Sequence, residues 1–123
     1  MTSPCPNPQL CGSCSLSQLP YADQLSQKLS EIRAALGELA MCETILPSPK
    51  TERYRNRMDF VIDFKGSVGL RQKGKWWSVL DGHCCFLGDS PIEHSFFKLR
   101  DWVKTAGLSF YDRKKFVGFL RYG

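Results

Sequence analysis

The stretch RMDFVIDFKGSVGLRQKGKWWSVL, residues 57–80, decides the fold. Met58, Phe60, Ile62 and Phe64 alternate with Asp59, Val61 and Asp63. Successive side chains of a strand point to opposite faces, so this alternation predicts a half-buried strand over 57–64. Lys65-Gly66 and Lys73-Gly74 are turn signals, because glycine reaches the positive φ that tight hairpins need. Residues 67–72 and 75–80 are therefore expected to return as second and third strands of an antiparallel meander.

Upstream, Leu25, Leu29, Ile32, Leu36 and Leu39 recur at steps of four, three, four and three. That spacing puts them on one stripe of a helix of about five turns, expected to pack into the core. Pro20 suits the first turn of that helix, and Pro47-Ser48-Pro49 forces an extended link after it. Downstream, Ser90-Pro91-Ile92-Glu93 is a helix start: Ser90 can cap, Pro91 fits the first position and Glu93 can reach back to the cap amide. Ile92, Phe96, Leu99 and Val103 form the stripe expected to be buried, and Gly107 is a natural stop. Residues 116–122 are expected to form another strand. The predicted class is α+β. A cysteine-rich loop and helix occupy 1–46, and a small antiparallel sheet with a second helix occupies 47–123.

The chain has 123 residues, of which 42% are hydrophobic and 24% charged, so it suits one ordinary globular unit rather than a disordered segment. It has no apolar run of the roughly 18 residues that a membrane-spanning helix needs. Its start lacks the basic and apolar regions of a signal peptide, so a reducing cytoplasm is the expected compartment, with the chain acting as a monomer. The formal charge of +5 is uneven. Residues 50–75 carry +5 and 98–123 carry +5, while 1–49 carry −2 and 76–97 carry −3. Two basic blocks suggest an anionic partner. Solvated lysine and arginine faces are the plain alternative.

Six cysteines stand at 5, 11, 14, 42, 84 and 85. In a reducing compartment such a pattern points to metal more than to disulfides. Cys5, Cys11 and Cys14 have the spacing C-x5-C-x2-C, one residue longer in its first gap than the plant-type iron–sulfur arrangement. A distant fourth thiolate, Cys84 or Cys85, would complete the set. Tetrahedral zinc is the competing occupant, although only one paired Cys-x2-Cys knuckle is present. Cys42 is expected to be a small buried hydrophobe, His94 a surface residue and His83 an outside candidate for a ligand. A small electron carrier fits less well with so many arginines.

Arg53, Arg55 and Arg57 alternate at the head of the first predicted strand, so they could form a ladder against phosphates, with Tyr54 stacking on a base. Arg71, Lys73, Lys75 and Trp76 follow in the meander, with Trp77 beside them. Cations interleaved with aromatics suit single-stranded nucleic acid, because phosphates pair and bases stack. Against this, one of two adjacent tryptophans on a strand usually faces the core.

Taken in order, these segments resemble a known family. They are Cys5-x5-Cys11-Gly12-Ser13-Cys14, Tyr21-x2-Gln24-Leu25-x2-Lys28, Pro47-Ser48-Pro49, Tyr54-Arg55-Asn56-Arg57-Met58-Asp59-Phe60, Gly69-Leu70-Arg71 and Val79-Leu80-Asp81 followed by a cysteine. The sequence is similar to the RNA uracil-C5 methyltransferases, which make 5-methyluridine in ribosomal or transfer RNA from S-adenosylmethionine. The resemblance implies a [4Fe-4S] cluster held by Cys5, Cys11, Cys14 and a later cysteine four residues after an aspartate. Counting from Asp81 gives Cys85, while the Gly82-His83-Cys84 segment departs from the family pattern and keeps Cys84 open. It also implies that the central sheet recognises RNA. The family's catalytic half, with its S-adenosylmethionine site, nucleophilic cysteine and proton-removing carboxylate, has no counterpart here. The chain is therefore expected to be an N-terminal fragment that is inactive alone.

Overall fold

The computed structural model describes residues 4–123. The elements run α1 (Tyr21–Leu36), β1 (Val61–Ile62), β2 (Val68–Gln72), β3 (Lys75–Asp81) and α2 (Ser90–Thr105). The three strands form one antiparallel sheet in the order β1-β2-β3, so the class is α+β. Val61 faces Gly69, Leu70 faces Leu80 and Arg71 faces Val79, with an irregularity between Arg71 and Gln72. The first turn is fastened by Asp63, whose Oδ1 accepts the Lys65 and Ser67 N–H groups at 2.9 Å each.

The strand expected over 57–64 pairs as a ladder only at Val61–Ile62. The chain just upstream is drawn elsewhere: Arg55 N–H donates to the Leu87 carbonyl, and Asp89 N–H to that of Arg55. Phe60 instead exchanges both backbone hydrogen bonds with Gly123, and Ile62 N–H donates to Arg121. Residues 60–62 are thus hydrogen-bonded on both sides. The strand expected over 116–122 is replaced by single bridges, Phe110 to Leu120, Asp112 to Val117 and Val61 to Tyr122. Phe116 has a φ of 57°, which breaks an extended run there.

Phe60, Ile62, Val68 and Leu70 join Phe96 and Val103 of α2, with Leu87 and Leu120, in the core. Phe60 and Phe96 stack at 4.4 Å between centroids. Burial of each such ring is worth roughly 1.5–3 kcal/mol. The alternation expected for the first strand holds at Phe60 and Ile62 and fails at Phe64, which is 51% exposed beside the turn.

The α2 stripe is placed as its spacing predicts, but the cap is Asp89 rather than Ser90. Asp89 Oδ1 accepts the Ser90 N–H at 2.8 Å, and Ser90 is the first helical residue. Glu93 does not reach back to the cap; it pairs with Arg53 at 2.9 Å. Arg100 holds the end of β3 by donating to both oxygens of Asp81.

The expectation that α1 packs into the core is overturned: none of its residues is buried. Leu25, Leu29 and Leu36 are half-buried and Ile32 is 40% exposed. The helix stops at Leu36 because Gly37 turns to a φ of 54°, leaving Leu39 outside it and 90% exposed. What α1 does hold is the following link. Arg33 donates to the carbonyls of Cys42 and Glu43 at 2.7 Å each, and the Tyr21 hydroxyl accepts the Ser48 N–H at 2.7 Å. No helix among the described residues is long and apolar enough to cross a membrane.

Candidate metal centre and nucleic-acid interface

The cysteine loop is turned by Asn7, whose carbonyl accepts the N–H groups of Leu10 at 3.2 Å and Cys11 at 2.9 Å. It is then stitched to the β2–β3 tip by main chain. Gly12 N–H donates to the Arg71 carbonyl at 2.9 Å, and Lys73 N–H to that of Leu10 at 2.7 Å. After β3, Gly82 N–H donates to Val68 and His83 N–H to Leu80, which folds the next segment back inward. These two seams bring Cys11 and Cys85 into the core, with Cys14 packed against it and Cys5 also buried.

No disulfide joins any of the six cysteines. Burial raises the Cys5 thiol, and nearby Cys11 and Cys85 add to the rise. Burial likewise raises Cys14, reinforced by Cys85, Cys11 and Cys5 and opposed by Arg55. At Cys11 burial is outweighed by His83 and by Ser13, so this thiol is lowered. Cys5 and Cys14 thus each lie within electrostatic reach of Cys11 and Cys85. Cys84 also packs against the core, where burial first, the Glu93 carboxylate next and then Cys85 push it up to about 11. Among the described residues, no three His, Cys, Asp or Glu side chains converge as a ready-made site for a metal ion.

His83 is buried and its Nδ1 meets Asn7 Nδ2 at 3.0 Å, tying the cysteine loop to the segment after β3. Its Nε2 is buried with no hydrogen-bond partner among the described residues. His94 is exposed, as the sequence suggests. Cys42 is not in the core; it lies half-exposed on the link beyond α1, its thiol 3.5 Å from the Thr44 carbonyl.

The predicted arginine ladder is not formed, because residues 53–57 are not in a strand. Arg53 has a φ of 49° and is engaged with Glu93 and with Ser90 Oγ at 3.1 Å. Arg55 lies half-buried near Cys14, and Arg57 faces Asp59 at 3.4 Å in open solvent. Tyr54 is 51% exposed. Lys73 and Lys75 flank the β2–β3 turn and are exposed.

Arg71 and Trp76 enter a groove of about 460 Å³ between the sheet face and the loop near 111–114. Phe64, Trp77, Tyr111, Arg113, Lys114 and Arg121 complete its cationic and aromatic lining. Arg113 lies over the Trp76 ring at 5.6 Å, and Arg121 over those of Tyr111 and Tyr122 at 4.9 and 5.2 Å. The Tyr122 hydroxyl accepts from Arg113 at 2.6 Å and from Arg71 at 3.3 Å. Burial works against ionisation of this phenol, but Arg121, Arg113 and Arg71 hold it below its usual value. Both tryptophans are 54% exposed, so neither serves the core. Asp63 and Asp112 also line the groove, each with Oδ1 held by N–H groups of its own turn. Sequence reasoning missed Tyr111, Arg113, Arg121 and Tyr122; their signal was the second basic block, with tyrosines inside it.

No protein-family model matches the chain. Against curated proteins, it is 36% identical over 112 residues, 91% of its length, to the tRNA (uracil(54)-C(5))-methyltransferase of Pyrococcus horikoshii. It is 30% identical over 120 residues, 97% of its length, to an uncharacterized RNA methyltransferase of Leptospira interrogans. A third relative, an uncharacterized RNA methyltransferase of Caldanaerobacter subterraneus, is 30% identical over 128 aligned positions. The chain covers 26%, 26% and 28% of these three proteins, about a quarter of their length. Similarity running along nearly the whole chain makes it a relative of the RNA methyltransferases, matching a segment of them. Within that class it matches a segment of the uracil-C5 methyltransferases, the enzymes that three of its relatives are named for.

Proposed function

We propose that this chain is the cluster-bearing, RNA-recognising part of an RNA uracil-C5 methyltransferase. The whole enzyme would transfer a methyl group from S-adenosylmethionine to C5 of a uridine in transfer or ribosomal RNA, acting as a monomer in the cytoplasm. The observation that carries the RNA part is the groove. Arg71, Arg113 and Arg121 line it, and none of them is in an ion pair among the described residues. Clustered cations without carboxylate partners beside exposed aromatics favour a polyanion with stackable faces.

Cys5, Cys11, Cys14 and Cys85 would hold the [4Fe-4S] cluster. The fit lies in the donor set: Cys5, Cys11 and Cys85 are buried, and Cys14 packs against the same apolar core as Cys11 and Cys85, a suitable environment for sulfur-bound iron. Bound there, the cluster supplies a cross-link between the N-terminal loop and the segment after β3, as structural metals do. Cys84, facing Glu93, is left out of the set.

Two measurements test this reading. Iron, sulfide and zinc are determined on protein purified without oxygen. About four irons and four sulfides per chain are expected, retained in Cys84→Ser and lost in Cys85→Ser. Stoichiometric zinc without sulfide overturns the cluster. Binding of an unmodified tRNA transcript is then followed against salt. Arg71→Ala with Arg113→Ala should weaken it and reduce the log–log salt slope by about one to two. A transcript that does not bind at low salt overturns the RNA assignment.

A further inference from the structure

Two guanidinium groups, from Arg71 and Arg113, converge on the single phenol oxygen of Tyr122. Like charges gathered this way repel, and no carboxylate among the described residues is paired with either of them. A phosphate at that point would relieve the repulsion and accept from both forks. Beside it stand the two indoles, edge to face at 5.8 Å between centroids. Arg113 covers the Trp76 ring, whereas no cation lies over the Trp77 ring among the described residues. Trp77 is thus the free stacking face.

The shape narrows the ligand further. A recess of about 460 Å³ is of small-ligand size, well inside the usual range of roughly 300–1,000 Å³. A-form RNA offers a wide, shallow minor groove and a narrow major groove, and neither presents a protruding group to fill a recess. An unpaired nucleotide does, since its base can leave the stack while its phosphate stays on the strand.

We infer that the groove captures one unpaired nucleotide of an RNA strand, with its phosphate on Arg71, Arg113 and Tyr122 and its base stacked on Trp77. This rests on the RNA reading above and adds to it the strandedness and the contact mode. The capture is sequence-tolerant, because every base has a face to stack.

The test is binding by the full chain of a short single-stranded RNA, a blunt duplex of the same sequence and a free nucleoside monophosphate. Parent, Trp77→Ala and Trp77→Phe are compared, and melting curves check that each is folded. The single strand should bind at least tenfold tighter than the duplex. Trp77→Ala should lose about tenfold on the single strand and nothing on the duplex, with Trp77→Phe recovering most of it. Equal binding of both RNAs, with Trp77→Ala indifferent, overturns the nucleotide capture and leaves RNA binding standing. Failure of both RNAs to bind at low salt overturns the RNA reading itself. A monophosphate that binds as tightly as the oligonucleotide overturns the strand as the ligand.

Discussion

The two helices have 16 residues each and similar apolar spacing, yet α2 buries Phe96 and Val103 while α1 buries nothing. Periodicity says which face of a helix could be covered; it does not say what covers it. α2 has a cover because it is fixed at several points around the sheet. Asp89 caps it, Arg53 reaches Glu93, Arg100 grips Asp81 and Phe60 meets Phe96. Among the described residues, the side-chain hydrogen bonds that leave α1 reach only adjoining segments: the link that follows it, through Arg33 and Tyr21, and Leu19 just before it, through Gln24.

The contrast is broken most directly in the two stripes. Phe96→Ala should cost about 3–5 kcal/mol by leaving a core cavity. Leu29→Ala should cost less than about 1 kcal/mol, as at a surface position. Urea unfolding of the two variants checks this, and equal losses would mean that α1 is packed against something. A smaller effect is expected at the cap: Asp89→Ala should remove about 1 kcal/mol, seen in the same titration.

The smallest effect concerns the tie between β3 and α2. The Arg100 guanidinium holds the Asp81 carboxyl below the usual range, with burial opposing and the Val68 N–H assisting. A depressed carboxylate stabilises the fold fully above its unfolded value of about 3.9. That contribution is lost as pH falls through the lower folded value. Asp81→Asn should be less stable than the parent at neutral pH by about 0.5 kcal/mol, discounted because the side chain is 41% exposed. The gap should close on acidification. A gap that stays constant with pH would show that the ion pair contributes nothing.

Much of the fold was legible because short-range chemistry wrote it. Gly66 and Gly74 set the turns, and Met58 to Ile62 alternate as a one-sided strand must. The reach of β1 was not legible, since it depends on whether Arg55 and Phe60 find partners next door or far along the chain. They pair with Leu87 and Gly123. The arginine ladder failed for the same reason. Alternation places side chains only where a strand exists, and Arg53 sits at positive φ bound to α2. In the groove, Arg71 and Trp76 could be picked out from local composition. Arg113 and Arg121, and Tyr122 beside them, could not, because only the return of the chain beside β1 brings them there. The backbone seams that fasten the cysteine loop to the β2–β3 tip and turn the segment after β3 inward join positions far apart in sequence, and no spacing rule announces them.

The seam between the cysteine loop and the β2–β3 tip has a consequence for how the sequence can drift. Its two hydrogen bonds use only peptide groups, so the side chains of Leu10 and Lys73 are not constrained by it. Inheritance can rewrite those positions without loosening the join. Gly12 is the exception, for a methyl group there would sit 3.3 Å from both the Arg71 carbonyl oxygen and the Lys73 Cα. Between two cysteines that chemistry would guard, the residue least free to vary is one with no side chain at all.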